Sequence, residues 1–287
     1  MRKLILILTC AVLLPAGAAK AQLVAPNATG VSMGHLHYFV RDMAASRKFW
    51  MDLGATPVML GTREVLRFPG VTVLLSQGEP SGNSEGTVVN HVGFQVPNVR
   101  ATLTRMFDLG YRIQLASTLT GKVGNVWAPE GERVEFMEDQ SINVKFARDQ
   151  GPYVAPPPMA APITLHHIHI FAPEGAAAEA KAWYVKTFGG VPGKRFRTDE
   201  QGYEAADLPG VNMNFSGAHG VHQPTKGRAL DHIGFEIKNL EAFTKKLEAN
   251  GIKLDSPYRV LPNGLAIAYL TDPWGTYIEL TEGLNKL

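Results

Sequence analysis

Histidine and glutamate recur in this sequence at matched places. His35-Leu-His-Tyr-Phe is echoed by His167-Ile-His-Ile-Phe, and His91-Val-Gly-Phe-Gln-Val by His232-Ile-Gly-Phe-Glu-Ile. Glu135 lies in Pro129-Glu-Gly-Glu-Arg-Val-Glu-Phe and Glu279 in Pro273-Trp-Gly-Thr-Tyr-Ile-Glu-Leu. Four of the nine histidines therefore open equivalent strand-like segments, and two glutamates form another equivalent pair. A neutral imidazole nitrogen and a carboxylate are donors to divalent cations. Two histidines with one carboxylate, leaving positions open, suit Fe(II) and related ions. Those open positions would let substrate oxygens bind and be polarised by the ion. A glutamate facing a sheet interior without a partner is expensive to bury, which favours a metal over simple packing. His37 and His169 follow His35 and His167 by two residues and share their face of a strand, as proton-transfer groups, supporting donors or packing residues. The matching residues in the other copies are Gly93 and Gly234, which would leave room above a cavity.

The elements that must position these residues are themselves repeated. Phe-Pro-Gly-Val-Thr-Val-Leu-Leu around Phe68 matches Leu-Pro-Gly-Val-Asn-Met-Asn-Phe around Leu208, in the same order as the other matches. The halves run over 31–143 and 163–285. The Pro-rich stretch 144–162, containing Gly151-Pro-Tyr-Val-Ala-Pro-Pro-Pro, suits an extended linker. Each half divides again. Strand-like segments rich in β-branched and aromatic residues lead into helical patterns that end at Gly54, Gly110, Gly189 and Gly251, where a glycine suits a helix C-cap. Three short strands follow each helix. The fold expected is α+β, four βαβββ units forming two domains with curved mixed sheets.

The N-terminus reads as a targeting segment. Arg2 and Lys3 precede an apolar run, Leu4 to Leu14, too short to span a membrane, and Ala19-Lys20-Ala21 is an A-x-A-like cleavage site. Residues 1–21 are read as a signal peptide, and the protein as periplasmic or secreted, with no membrane contact after cleavage. Cleavage removes Cys10, the only cysteine, and with it any disulfide or thiolate chemistry. It also removes three basic residues, so the formal charge of +2 turns slightly negative. Nothing then points to nucleic acid.

With these motifs in place, the chain resembles the vicinal oxygen chelate superfamily, which includes glyoxalase I, extradiol dioxygenases and bleomycin-binding proteins. The resemblance covers most of 31–285. It rests on the strand-opening histidines, Phe49-Trp50 and Trp183-Tyr184, and the closing Asp272-Pro-Trp-Gly-Thr-Tyr-Ile-Glu279. It implies metal ligands at His167, His232 and Glu279 in the second half and at His35, His91 and Glu135 in the first. It leaves open which units share a site, because units exchange partners among members. A fourth ligand position falls on Leu74 and Asn214. Tyr269, ahead of Asp-Pro-x-Gly, matches an extradiol signature, with Asn125 at the corresponding place in the first half. A histidine of that signature is missing from Leu261-Pro-Asn-Gly-Leu-Ala-Ile-Ala. The resemblance thus implies catalytic roles for Tyr269, His169 and Asn214, a divalent metal (Fe(II) ahead of Mn(II) or Zn(II)) and a small oxygen-bearing substrate. Dioxygenase and glyoxalase or lyase chemistry both remain open, and residues 163–285 are the expected working half. The alternative is a metal-free binding protein whose pocket is lined by Trp127, Trp183, Tyr184 and Trp274.

Overall fold

The computed structural model describes residues 23–115, 123–138, 163–196 and 202–284. The leader 1–21 and the linker 144–162 lie outside the described residues. Four βαβββ units follow in order. Unit 1 holds β1 (Val31–Val40), α1 (Met43–Leu53), β2 (Thr56–Leu60), β3 (Arg63–Phe68) and β4 (Val71–Gln77). Unit 2 holds β5 (Val89–Gln95), α2 (Val99–Asp108), β6 (Ile113–Leu115), β7 (Val123–Trp127) and β8 (Arg133–Met137). Unit 3 holds β9 (Thr164–Pro173), α3 (Ala177–Phe188), β10 (Val191–Phe196), β11 (Gly202–Asp207) and β12 (Asn212–Ala218). Unit 4 holds β13 (Leu230–Ile237), α4 (Leu240–Ala249), β14 (Ser256–Val260), β15 (Ala266–Thr271) and β16 (Tyr277–Glu282).

Local signals set the helix ends. Asp42, Asn98 and Asn239 each accept a backbone N–H of the first turn, at Ala45, Ala101 and Ala242, contacts worth about 1 kcal/mol apiece. Gly54 ends α1 at φ 116°, a left-handed conformation that other residues resist.

The units pair in an order that the sequence left open. One eight-stranded sheet runs β14-β15-β16-β13-β1-β4-β3-β2 and the other β10-β11-β12-β9-β5-β8-β7-β6. Units 1 and 4 therefore build an outer sheet, joined by antiparallel β1 and β13. Units 2 and 3 build an inner sheet, joined by β5 and β9. Each sheet draws one unit from each side of the Pro-rich stretch. The expected working half, 163–285, thus contributes to two sheets and encloses no site of its own.

Side-chain alternation separates core from site. On β1, Leu36 and Tyr38 enter the main hydrophobic core with Phe49, Trp50 and Phe68, while His35 and His37 face the other way. On β9, Ile168 and Ile170 enter the same core, opposite His167 and His169. The aromatics considered for a binding pocket make packing and hydrogen-bond contacts. Tyr184 is fully buried and donates its hydroxyl to Asp272 at 2.9 Å. Trp183 and Trp274 pack edge to face against the core margin, and Trp127 donates to Glu85.

Candidate metal centre

Strand register explains why the histidines and glutamates meet. Across the outer sheet, His35 pairs with Gly234, Gly234 with Glu279, and Glu279 with Tyr269. One row of the sheet therefore reads His35, Gly234, Glu279, Tyr269. The next reads Leu74, His37, His232. Because Gly234 has no side chain, the His35 ring lies across the vacancy, where a Cβ would come within 2.0 Å of its Cε1. The room expected above the cavity is filled by the ligand ring itself.

Three donor atoms converge there. His35 Nε2 lies 2.9 Å and His232 Nε2 lies 2.8 Å from Glu279 Oε2. His37 Nδ1 is 3.1 Å from His232 Nε2. Ligands at about 2.1 Å from one ion, set at right angles, are about 3.0 Å apart, so this spacing fits a metal's coordination sphere. His35, His232 and Glu279 are all buried. His232 Nδ1 contacts the buried carboxylate of Asp231, the partner that fixes a ligand imidazole with its Nε2 lone pair toward an ion. Sequence reasoning missed Asp231, since neighbours on a strand point to opposite faces. In the structure, His37 pairs with His232 and Tyr38 with Leu230, so Asp231 is the extra residue of a β-bulge. A bulge re-aims side chains, and this one brings Asp231 onto its neighbour.

The electrostatics also favour a cation. Burial alone would raise the pKa of Glu279, but its hydrogen bonds to His232 and His35 prevail and hold it well below the carboxylate range. Burial opposes the charged form of His232, yet Asp231 and Glu279 outweigh it and raise its pKa. Two buried carboxylates thus hold a proton on His232 that an ion would replace. Arg63, also missed from sequence, closes one side. It donates to Leu75 O at 2.6 Å and Ser76 Oγ at 2.9 Å, and Ser76 in turn lies 2.7 Å from His37 Nε2. Tyr269 hydrogen-bonds Glu279, and burial first, then that carboxylate, raises its pKa.

The inner sheet repeats the pattern with different supports. Its rows read His167, Gly93, Glu135, Asn125 and Asn214, His169, His91. His91 Nε2 and His167 Nε2 are 3.0 Å apart, with Glu135 Oε2 at 3.6 and 3.5 Å. Asn90 occupies the bulge that Asp231 occupies in the outer sheet. Asn214 is already engaged: its Oδ1 accepts from buried Arg195 at 2.9 Å.

These distances correct the grouping by halves. His167 stands with His91 and Glu135, whereas His232 and Glu279 stand with His35. Tyr269 belongs to the outer site and Asn214 and His169 to the inner one, so the three do not act together. The reason is topological, because the sheet joining β13 and β16 continues through β1, not β9. His166 proves close to the inner ligands, with its Nδ1 2.8 Å from His167 Nδ1. Exposed His219 pairs with Glu174, and His222 packs against Phe171.

Two curved sheets, each built from paired βαβββ units around a histidine–glutamate cluster, define a tandem glyoxalase-like fold. Residues 164–280 match the family model of the Glyoxalase/Bleomycin resistance protein/Dioxygenase superfamily. No curated protein sequence matches the chain. Among solved structures, glyoxalase I from Zea mays is 17% identical with a TM-score of 0.63, covering 88% of this chain and 92% of that one. A protein from Bacillus subtilis subsp. subtilis str. 168, provisionally named a dioxygenase, is 14% identical with a TM-score of 0.59, covering 91% and 86%. At these identities the likeness is one of fold.

Proposed function

We propose that the protein is an exported, divalent-metal-dependent enzyme that acts at the outer site on a small substrate bearing two adjacent oxygens. The observation that carries this is the convergence of buried His35, His232 and Glu279 within 2.9 Å. The ion, with Fe(II) ahead of Mn(II) or Zn(II) for this donor set, would act as a Lewis acid and template for the substrate oxygens. The chain's own residues do the rest. Asp231 orients His232, and Tyr269 offers a hydroxyl beside Glu279 for a hydrogen bond to substrate. His37, held by Ser76, supplies a second polar contact. Leu74 joins Leu23, Val58, Leu60, Val65, Leu265 and Leu284 in an apolar cluster beside His37, which suits a substrate with an apolar body.

The choice among chemistries favours a dioxygenase-like reaction. A glyoxalase-like proton transfer calls for a carboxylate at the fourth position, which Leu74 cannot supply. Tyr269 instead sits with its ring 5.6 Å from that of His232 and stacked on Tyr277. The export and the periplasmic or secreted location rest on residues 1–21, and no feature calls for nucleic acid or membrane. Anaerobic loading with Fe(II), then oxygen-uptake assays on a panel of catechols, tests the reading. Uptake that needs the metal and falls at least about tenfold in Tyr269→Phe supports it. Metal binding without uptake, but with turnover of a 2-oxoaldehyde hemithioacetal, would favour the isomerase, and binding of small aromatics without metal the sequestration alternative.

A further inference from the structure

The two sites share their ligand types and differ in what holds the histidine on the central strand. In the outer site, Asp231 accepts from His232 Nδ1. In the inner site, the corresponding nitrogen, His91 Nδ1, faces Arg133 Nη2 at 2.5 Å. Arg133 also donates to Asn90 Oδ1, which itself lies 2.8 Å from His91 Nδ1. A guanidinium has no lone pair and keeps its protons in proteins. Two contacts compete for His91 Nδ1: Asn90 Oδ1 could accept a proton from it, and Arg133 donates one to it. The nearer, charged donor is the stronger partner, which leaves Nδ1 bare and the proton on Nε2.

The neighbouring contacts follow in one direction. His91 Nε2–H donates to His167 Nε2 at 3.0 Å, so His167 carries its proton on Nδ1 and donates to His166 Nδ1 at 2.8 Å. The chain from Arg133 through His91 and His167 to His166 satisfies these nitrogens without an ion. It also uses the two Nε2 atoms that a metal would need. Charge agrees. Outside the site's imidazoles, Glu135 and Glu85 face Arg133 in the inner site, Arg195 lies near His166, and Asn90 is neutral. In the outer site two carboxylates, Asp231 and Glu279, act directly on His232, Arg63 faces Glu279, and Arg259 acts on Tyr269.

From this contrast we infer that the protein holds one metal ion per chain, in the outer site, and that the inner histidine cluster is a metal-free hydrogen-bonded chain locked by Arg133. The inference rests on the proposed outer metal site and adds that its twin does not bind. Two of the positions at which the twins differ support the histidine on the central strand: Asn90 against Asp231, and Arg133 against Tyr277.

The test is the stoichiometry of the full mature chain, stripped with chelator and titrated with Zn(II) and, anaerobically, with Fe(II). Roughly one equivalent is expected, kept by His91→Ala and lost by His232→Ala. The double variant Asn90→Asp/Arg133→Tyr, which gives the inner site the outer supports, should rise to roughly two equivalents. Roughly two equivalents in the unaltered chain would overturn the inference, as would one equivalent lost in His91→Ala but kept in His232→Ala. A folded double variant that stays at one would also overturn it. Binding of no ion at all would overturn the outer site itself, so the two failures are distinguishable. Should the double variant not fold, long-range 15N–1H spectra of the unaltered protein report the tautomer directly. A proton on His91 Nε2 is expected, and one on Nδ1 would contradict the lock.

Discussion

At the scale of single residues, the outer site depends as much on what is missing as on what is present. Gly234 separates His35 from Glu279 in register, and a methyl group there would strike the His35 ring at 2.0 Å. That ring is fully buried and has no room to swing aside. Gly234→Ala should therefore cost about 1–3 kcal/mol of stability and at least about tenfold in metal affinity, measured by urea unfolding and Zn(II) titration. Protonation gives a second expectation. Burial lowers the pKa of His35, His91 and His167, and pushes His37 to about 2 with help from His232, His35 and Arg63. Free imidazoles titrate near about 6.5. Below that pH the unfolded chain takes up protons that these folded residues refuse, so their share of stability is present above about 6.5 and lost as pH falls. His232, raised, has the opposite sign: its share is present below about 6.5 and fades as pH rises through its folded value. His166, lowered to about 3 by burial first, acts with these four, while Glu132, raised to about 7 by burial, acts with His232. With five groups against two, the urea midpoint of the metal-free protein should fall from about pH 7 to about pH 5. Metal affinity should rise with pH over the same range, because His232 must release its Nε2 proton to an ion.

At the scale of elements, the turn between β15 and β16 aligns Tyr269 with Glu279. Asp272 Oδ1 accepts the backbone N–H groups of Trp274, Gly275 and Thr276 at 3.0, 2.8 and 2.7 Å, while Oδ2 accepts from Tyr184. The Asp-Pro-Trp-Gly motif thus fixes the turn that sets Tyr269 opposite Glu279. Asp272→Ala leaves buried donors without partners and should cost about 2–4 kcal/mol, with Asp272→Asn costing less. Thermal or urea unfolding checks both. Much of this level was legible in sequence. Alternation on β1, β5, β9 and β13 put the histidines on one face, and the glycines after the helices marked their ends. The supports were not legible. Asp231 and Asn90 reach their neighbours through bulges, which alternation cannot foresee. Arg63 and Arg133 come from strands whose place beside the histidines depends on sheet order.

At the scale of the whole molecule, pairing of the first unit with the last decides which residues share a site. Four similar units carry similar strand sequences, so nothing local tells β1 to join β13 in preference to β5. That choice belongs to contacts between segments about two hundred residues apart, such as His37 with His232. The ligand types and positions could therefore be read from the repeat, while their grouping could not. Cross-pairing also predicts mechanical unity. A protease site inserted in 144–162 and cleaved should leave the two fragments associated through β1–β13 and β5–β9, with metal content unchanged on gel filtration. Fragments that separate and each keep metal would contradict the paired sheets.

The central claim is that one ion sits between the two ends of the chain. Anomalous diffraction from a Zn(II)- or Mn(II)-loaded crystal tests it most directly. The account predicts a peak about 2.0–2.2 Å from His35 Nε2, His232 Nε2 and a Glu279 oxygen. A loaded crystal with no peak there, or with its peak at His91 and His167 alone, would contradict it.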